Sequence, residues 1–191
     1  HTVEILREIW RVLRKDGVVF LNLGDSYASK ASAYSNGNLK EKDLCLIPFR
    51  VAIAAQEDGW WVRSDIIWSK PNPMPESVTD RPTNSHEYIL MLTKSSKYYW
   101  DAEAVRGPVN PNNKGKVAVV ASGDSRTRDK EHWGVPHEAK VVIREYSELK
   151  GRNLCSVWSF PTQPYPEAHF AVFPEKLPEL CIKAATPEVG C

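Results

Sequence analysis

One arrangement recurs in the N-terminal part of the chain and limits what it can fold into: an amphipathic helical stretch, a glycine, then a short apolar run. Val3, Leu6, Ile9, Trp10 and Leu13 return at helical spacing, with Ile5 and Val12 beside them, which predicts one apolar face on a helix over residues 2–15. Gly17 is placed to stop that helix as its C′ residue. VVFLNL (Val18–Leu23) reads as a buried strand, ended by Gly24, Asp25 and Ser26. The arrangement then repeats. Asp43 can cap a helix running to Glu57, Gly59 stops it, and residues 60–62 and 65–68 (DIIW) supply the next strand. YILMLT at 88–93 is a third strand, with Tyr98, Tyr99 and Trp100 as a candidate edge extension. Helix–glycine–strand units in succession predict a parallel α/β sheet with crossover helices. Ligands of such sheets bind beyond the carboxyl ends of the strands. Gly24, Asp25 and Ser26 and the loop Lys70, Pro71, Asn72, Pro73 are therefore expected on one rim. Pro71, Pro73 and Pro75 forbid regular structure in that loop.

From residue 107 to about 153 the character changes. Periodicity is weak, Gly, Asn and Ser are frequent, and nine lysines and arginines face six acids. Such an insertion is either a flexible loop or a recognition element. Apolar and aromatic residues return from Ser156, and a helix is predicted from Pro174 to Ala185, with proline in its first turn.

The chain has 191 residues, enough for one domain with a small appendage, and 42% hydrophobic and 26% charged residues are ordinary for a globular protein. A net charge of +1 excludes no partner, since a nucleic-acid enzyme needs a basic face rather than a basic total. Cys45, Cys155, Cys181 and Cys191 form no CxxC pair, so free thiols in a reducing cytosol are expected and no metal site; Cys191 can open a motif that continues further. No apolar run approaches a membrane span, and the N-terminus reads as a helix rather than a signal peptide. A helical pattern at the first residues is expected of a piece cut from something longer. The chain has neither a GxG nor a Pro-Pro dipeptide.

Each candidate side chain carries an ordinary reading beside the functional one. Asp25 with Ser26 either contacts a ligand at the rim or caps a turn. Lys70 and Asn72 either line a site on a stiff loop or punctuate a chain reversal. Arg81, Asn84, His86 and Glu87 form a polar run before a strand. His86 is either a base or phosphate contact or a structural hydrogen-bonding residue. Trp68 lies in an apolar strand and belongs to the core, and most of the other aromatic residues read as packing.

DIIWSKPNPMP (residues 65–75), Arg81, and NSHEYILMLTKS (residues 84–95) together resemble the DNA amino-methyltransferases, the adenine-N6 and cytosine-N4 enzymes of the circularly permuted beta group. LREIWRVLRKDGVVFLNLGDSYA (residues 6–28) is similar to the helix and strand that follow the catalytic motif in that group. HFAVFPEKLPELCIKAATPEVG (residues 169–190) is similar to the segment leading into its S-adenosylmethionine motif. The resemblance spans about 1–106 and 156–190. It implies a partial Rossmann-like, S-adenosylmethionine-dependent α/β sheet over 1–106, a target-recognition insertion over 107–155, and a cofactor-side segment over 156–191.

The resemblance also implies that the catalytic Pro-Pro motif lies upstream of His1 and the glycine cofactor motif downstream of Gly190. No catalytic residue is then expected in this chain, with Asp25 and Ser26 beside the motif. Lys70, Asn72 and Pro73 are expected on the base-entry side. Arg81, Asn84 and His86 are expected to hold that loop or the DNA backbone. Phe173, Pro174 and Leu177 are expected to wall the cofactor pocket, and Arg126, Arg128 and Arg144 to read sequence. The implied reaction moves a methyl group from S-adenosylmethionine to an exocyclic nitrogen of double-stranded DNA, in the cytoplasm, cytosine N4 preferred over adenine N6. This chain alone is expected to be inactive. The rival expectations are a non-catalytic DNA-binding fragment or degenerate homologue, and an unrelated α/β interaction domain.

Overall fold

The computed structural model describes residues 1–30, 39–108, 116–121, 140–145, 151–164 and 172–187. They form α1 (Thr2–Val12), β1 (Val18–Leu23), α2 (Ile47–Glu57), β2 (Trp61–Ser69), β3 (His86–Thr93), β4 (Lys116–Ala121), β5 (Lys140–Glu145), β6 (Val157–Ser159) and α3 (Lys176–Ala185). Two compact units result: His1–Val105 with Cys155–Cys191, and Arg106–Leu154.

The larger unit is built on a sheet of order β1-β3-β2-β6. The three strands expected from the sequence do share one sheet, but the sheet is not parallel throughout. β3 lies between β1 and β2 and runs antiparallel to both, while β6 runs parallel to β2. The reason is the link from β2 to β3. A parallel neighbour needs a crossover, usually a helix, whereas an antiparallel neighbour can be reached by a loop, and residues 70–85 contain no helix. The two stretches expected around residues 60–68 are one strand, interrupted by a bulge where Val62 pairs with Leu92 and Ser64 with Met91. The bulge frees Arg63, whose Nε donates to the Tyr98 hydroxyl at 3.2 Å. Tyr98, Tyr99 and Trp100 do not extend the sheet; the Tyr99 N–H instead donates to the Asp16 carbonyl at 2.9 Å.

Residues opposite one another in the ladder share a face. Leu90 and Leu92 therefore share a face with Val19, Leu21 and Val62, and this face meets Leu6 of α1, Ala55 of α2 and Trp60 in one core cluster. Trp10 packs edge-to-face on Trp60 with ring centroids 4.8 Å apart. Arg7 of α1 donates to the Asp58 carboxylate at 2.6 Å, just past the end of α2. The opposite face carries Ile66, Trp68, Ile89 and Met91, all nearly inaccessible.

Helix ends depart from the sequence reading in two places. Gly17 is not a left-handed C′ residue; α1 ends at Val12 and the Leu13 N–H closes on the Ile9 carbonyl. Asp43 does not cap α2; its carboxylate takes the Lys40 N–H at 2.8 Å. Gly59 does stop α2 as expected. It adopts φ +100°, its N–H donates to the Gln56 carbonyl, and the Trp60 N–H reaches back to the Ala55 carbonyl. This paired closure satisfies carbonyls that the helix leaves open. The last helix begins at Lys176, after Pro174, and buries Leu177, Cys181 and Ala184.

In the smaller unit β4 and β5 pair antiparallel, Lys116 opposite Glu145 and Ala121 opposite Lys140. The weak periodicity of this region predicts no strands. KVAVVA and KVVIRE are short β-branched runs, the composition strands favour. Gly107 and Arg152 form a two-way bridge beside Gly151, where φ is +122° and a Cβ would lie 2.4 Å from the Gly107 carbonyl. Glycine is required there.

Candidate functional site

The register puts the carboxyl ends of β1 and β2 and the start of β3 at one edge of the sheet: Leu23 pairs with Tyr88 and Ser69 with His86. β6 ends there too, with Ser69 opposite Ser159. Gly24, Asp25 and Ser26 and residues 70–73 thus share a rim, as the strand order predicts.

Asp25 is placed by the turn that ends β1. Its Oδ1 accepts the Ser26 N–H at 2.8 Å and the Ile47 N–H at 3.0 Å. The second bond caps α2 from far away in sequence, at a terminus whose own N-cap residue, Leu46, has no suitable side chain. Asp25 Oδ2 is buried and has no hydrogen-bond partner among the described residues. One oxygen of Asp25 therefore does structural work while the other remains an open acceptor. Ser26 is exposed, and its carbonyl accepts the Cys45 N–H.

The six residues assigned to the base side fall into two groups. Lys70 forms a half-buried ion pair with Glu87, and its Nζ lies 4.6 Å from the centre of the Trp68 ring. Trp68 and Glu87 are paired across the ladder, so this group occupies one face of the sheet. Asn72 continues it: its Nδ2 donates to Thr162 Oγ1 at 3.2 Å and its Oδ1 accepts the Thr162 N–H at 3.1 Å. Pro73 follows, half-buried.

His86 falls on the other face, the one covered by α2. It meets Tyr88 edge-on at 5.1 Å, and Tyr88 meets Phe49 of α2 at 5.0 Å. Asn84 Oδ1 accepts the His86 N–H at 3.4 Å, a long bond. Arg81 donates to Glu76 at 2.5 Å and lies 3.8 Å over the Tyr27 ring. Arg81 therefore clamps its own loop onto the segment after Asp25.

Of the three residues expected on the cofactor side, Phe173 is 46% exposed, whereas Pro174 and Leu177 are buried. Their turn is tied to the rim, since Gln163 Oε1 accepts the Glu175 N–H at 3.2 Å next to the Asn72–Thr162 pair. Thr162 and Gln163 carried no sequence signal, because only their long-range partners mark them. Tyr27 and Glu87 were likewise missed as partners of Arg81 and Lys70. Arg126 and Arg128 lie outside the described residues. The Arg144 backbone pairs with Val117 in the β4–β5 ladder.

Burial pushes the Cys181 thiol up to about 12, so it is a neutral packing residue rather than a nucleophile. No group of three potential metal ligands occurs among the described residues, and none of their helices is long and apolar enough to cross a membrane.

The profile of the N6/N4 DNA methylase family matches residues 1–190. The chain belongs to this family. Type II methyltransferase M.SmaI of Serratia marcescens is 37% identical to this methylase chain, covering 98% of the chain and 58% of the relative. M.Cfr9I of Citrobacter freundii is 40% identical, with coverage of 96% and 55%. The methylase chain thus spans a little over half the length of these relatives. The solved PvuII DNA methyltransferase (cytosine-N4-specific) matches 97% of the chain and 54% of its own with a TM-score of 0.62 at 14% identity. The two share a fold, so the mixed α/β sheet of this chain is a methyltransferase fold.

Proposed function

We propose that the protein takes part in transfer of a methyl group from S-adenosylmethionine to an exocyclic amino nitrogen of double-stranded DNA, in the cytoplasm. The observation that carries this reading is the rim: the carboxyl ends of β1 and β2, with the start of β3, gather Asp25, Lys70, Asn72 and Thr162 at one edge of a methyltransferase sheet. Cytosine N4 is the preferred target and adenine N6 the alternative, on the FPEKLPELCI and LGDSYA resemblance.

The residues present fit the methyl donor. An unpartnered buried carboxylate oxygen needs a donor, and Asp25 Oδ2 can accept one from an ammonium or hydroxyl group. Phe173 offers an exposed ring face, with buried Pro174 and Leu177 fixing the turn behind it. When bound, S-adenosylmethionine supplies an electrophilic methyl on a positively charged sulfur.

The remaining work is alignment, which lowers a barrier by holding reactants near their reacting geometry. The prolines and the Asn72–Thr162 pair stiffen the base-side loop, so little ordering entropy is lost when a base enters. A target base must leave the stack to reach such a rim. Lys70, already paired with Glu87, gives the loop a cation whose charge is partly spent internally. Arg81 holds the loop onto Tyr27, and Asn84 and His86 fix its far end at the start of β3, with His86 on the face that α2 covers. The smaller unit, with Arg126, Arg128 and Arg144, is the proposed target-recognition insertion, Arg being well shaped to grip guanine.

A chimaera tests this reading. The matching span of the Serratia marcescens relative is replaced by this chain, and tritium transfer from labelled S-adenosylmethionine to mixed-sequence duplex DNA is counted. Label in DNA is expected from the chimaera and none from the chain alone. A folded chimaera that leaves DNA unlabelled overturns the reading, and label from the chain alone overturns its proposed inactivity.

A further inference from the structure

The loop between β2 and β3 carries a feature the reaction above does not use. Met74 is 85% exposed, the most exposed large apolar side chain among the described residues. Isolated apolar residues on a surface are ordinary; the setting of this one is not. It stands between Pro73 and Pro75, and Pro71 lies just before. Each proline fixes its own φ and restricts the residue before it, so Pro75 restricts Met74 directly and Pro73 stiffens the chain that leads into it.

The loop is fastened on either flank of Met74. On one, Asn72 uses both ends of its amide on Thr162, at 3.2 and 3.1 Å, and Lys70 is paired with Glu87. On the other, Glu76 accepts from Arg81, whose guanidinium lies 3.8 Å over the Tyr27 ring, and Lys42 reaches Asp80 at 2.7 Å. The result is an unbranched apolar side chain presented to solvent on a stiff support, at the rim where the strands end. The fold gains no core contact from it. Rigid presentation of an apolar group lowers the ordering cost of inserting it elsewhere.

We infer that Met74 is a wedge: on DNA binding it enters the base stack beside the target base and holds the duplex open. The inference rests on the DNA reading above. Proteins that unstack DNA insert apolar side chains, Met and Pro among them, between base steps. Extrusion of a base leaves an apolar gap that a thioether can fill without an unsatisfied polar group. The wedge therefore acts on the deformation of the duplex and reads no base edge.

The chain carries its own probe. It has two methionines, and the second, Met91, is 5% exposed in the sheet. Dilute peroxide is applied with and without saturating mixed-sequence duplex DNA, binding is followed by anisotropy, and sulfoxide at each methionine is read by peptide mass spectrometry. Met74 is expected to oxidise rapidly alone and roughly ten-fold more slowly with DNA, with Met91 slow in both. In parallel, random-sequence duplexes with 2-aminopurine in place of some adenines report unstacking by fluorescence. The wild type and Met74→Leu are expected to brighten the probe, and Met74→Ala to lose most of that gain. If DNA binds but Met74 oxidises at an unchanged rate, or if Met74→Ala brightens the probe as the wild type does, the wedge is overturned and the DNA reading stands. If the wild type binds no DNA, both fall.

Discussion

The two ends of the central sheet are held by different forces. Where β1 and β2 begin, Leu6, Trp10, Ala55, Trp60 and Leu92 interlock, and their cohesion is spread over many weak contacts. Where those strands finish, a few aromatic contacts, Tyr88 with Phe49 and Trp68 with Phe160, are joined by polar pairs between residues distant in sequence: Asp25 with the Ile47 N–H, Lys70 with Glu87, Asn72 with Thr162. An apolar end loses stability in proportion to the volume removed. A polar end fails one bond at a time, and each loss leaves a stranded partner.

The largest expected effect is at the apolar end. Leu92→Ala should lower unfolding free energy by about 2–5 kcal/mol in urea titration, through lost burial and the cavity left behind. At the rim, Lys70→Met strands the Glu87 carboxylate and should cost about 1–3 kcal/mol. The double variant Lys70→Met with Glu87→Met should recover part of that loss; a purely additive result would erase the distinction between the two ends. Asp25→Ala removes the distant cap of α2 and should cost about 0.5–2 kcal/mol. Gly59→Ala at the other end of the same helix should cost about 1 kcal/mol for a side chain at positive φ. Both are read by thermal melts.

The smallest effect separates surface charge from either end. Hydrogen bonds from Lys183 and then Lys176 lower the Glu179 carboxyl from 4.5 to about 2. A depressed folded value stabilises above the unfolded value and is lost as pH falls through the folded one. Melting temperatures of the wild type and Glu179→Gln should therefore differ slightly at pH 7 and converge as pH falls from about 4.5 to about 2. A difference that persists once the carboxyl is protonated would show that it does not come from these ion pairs, and no difference at pH 7 would show that the pairs contribute nothing.

The same contrast explains what the sequence disclosed. Gly59 was readable because a helix stop is local chemistry, and VVFLNL and YILMLT were readable because burial leaves a run of apolar residues. The cap on α2 was not readable. Asp43 has the right chemistry and lies close by, but the chain turns so that Asp25 arrives instead. The direction of β3 was in reach, since residues 70–85 hold four prolines and no helical periodicity, which suits a loop return rather than a crossover. KVAVVA and KVVIRE were missed because polar surroundings masked two short β-branched runs. The rim positions of Asp25, Lys70 and Asn72 followed from strand ends. That Lys70 and His86 fall on opposite faces followed only from the register.

The antiparallel placement of β3 also sets an order of assembly. β3 meets β2 across residues 70–85 and meets β1 across the much longer span 24–85. Closing the shorter loop forfeits less chain entropy, and pairings of small sequence separation form sooner. The β2–β3 pair is thus expected to form first, with the proline loop as its hinge, and β1 to be added to a template already laid down. Changes in the stiffness of that loop would then appear in the refolding rate before they appear in the equilibrium.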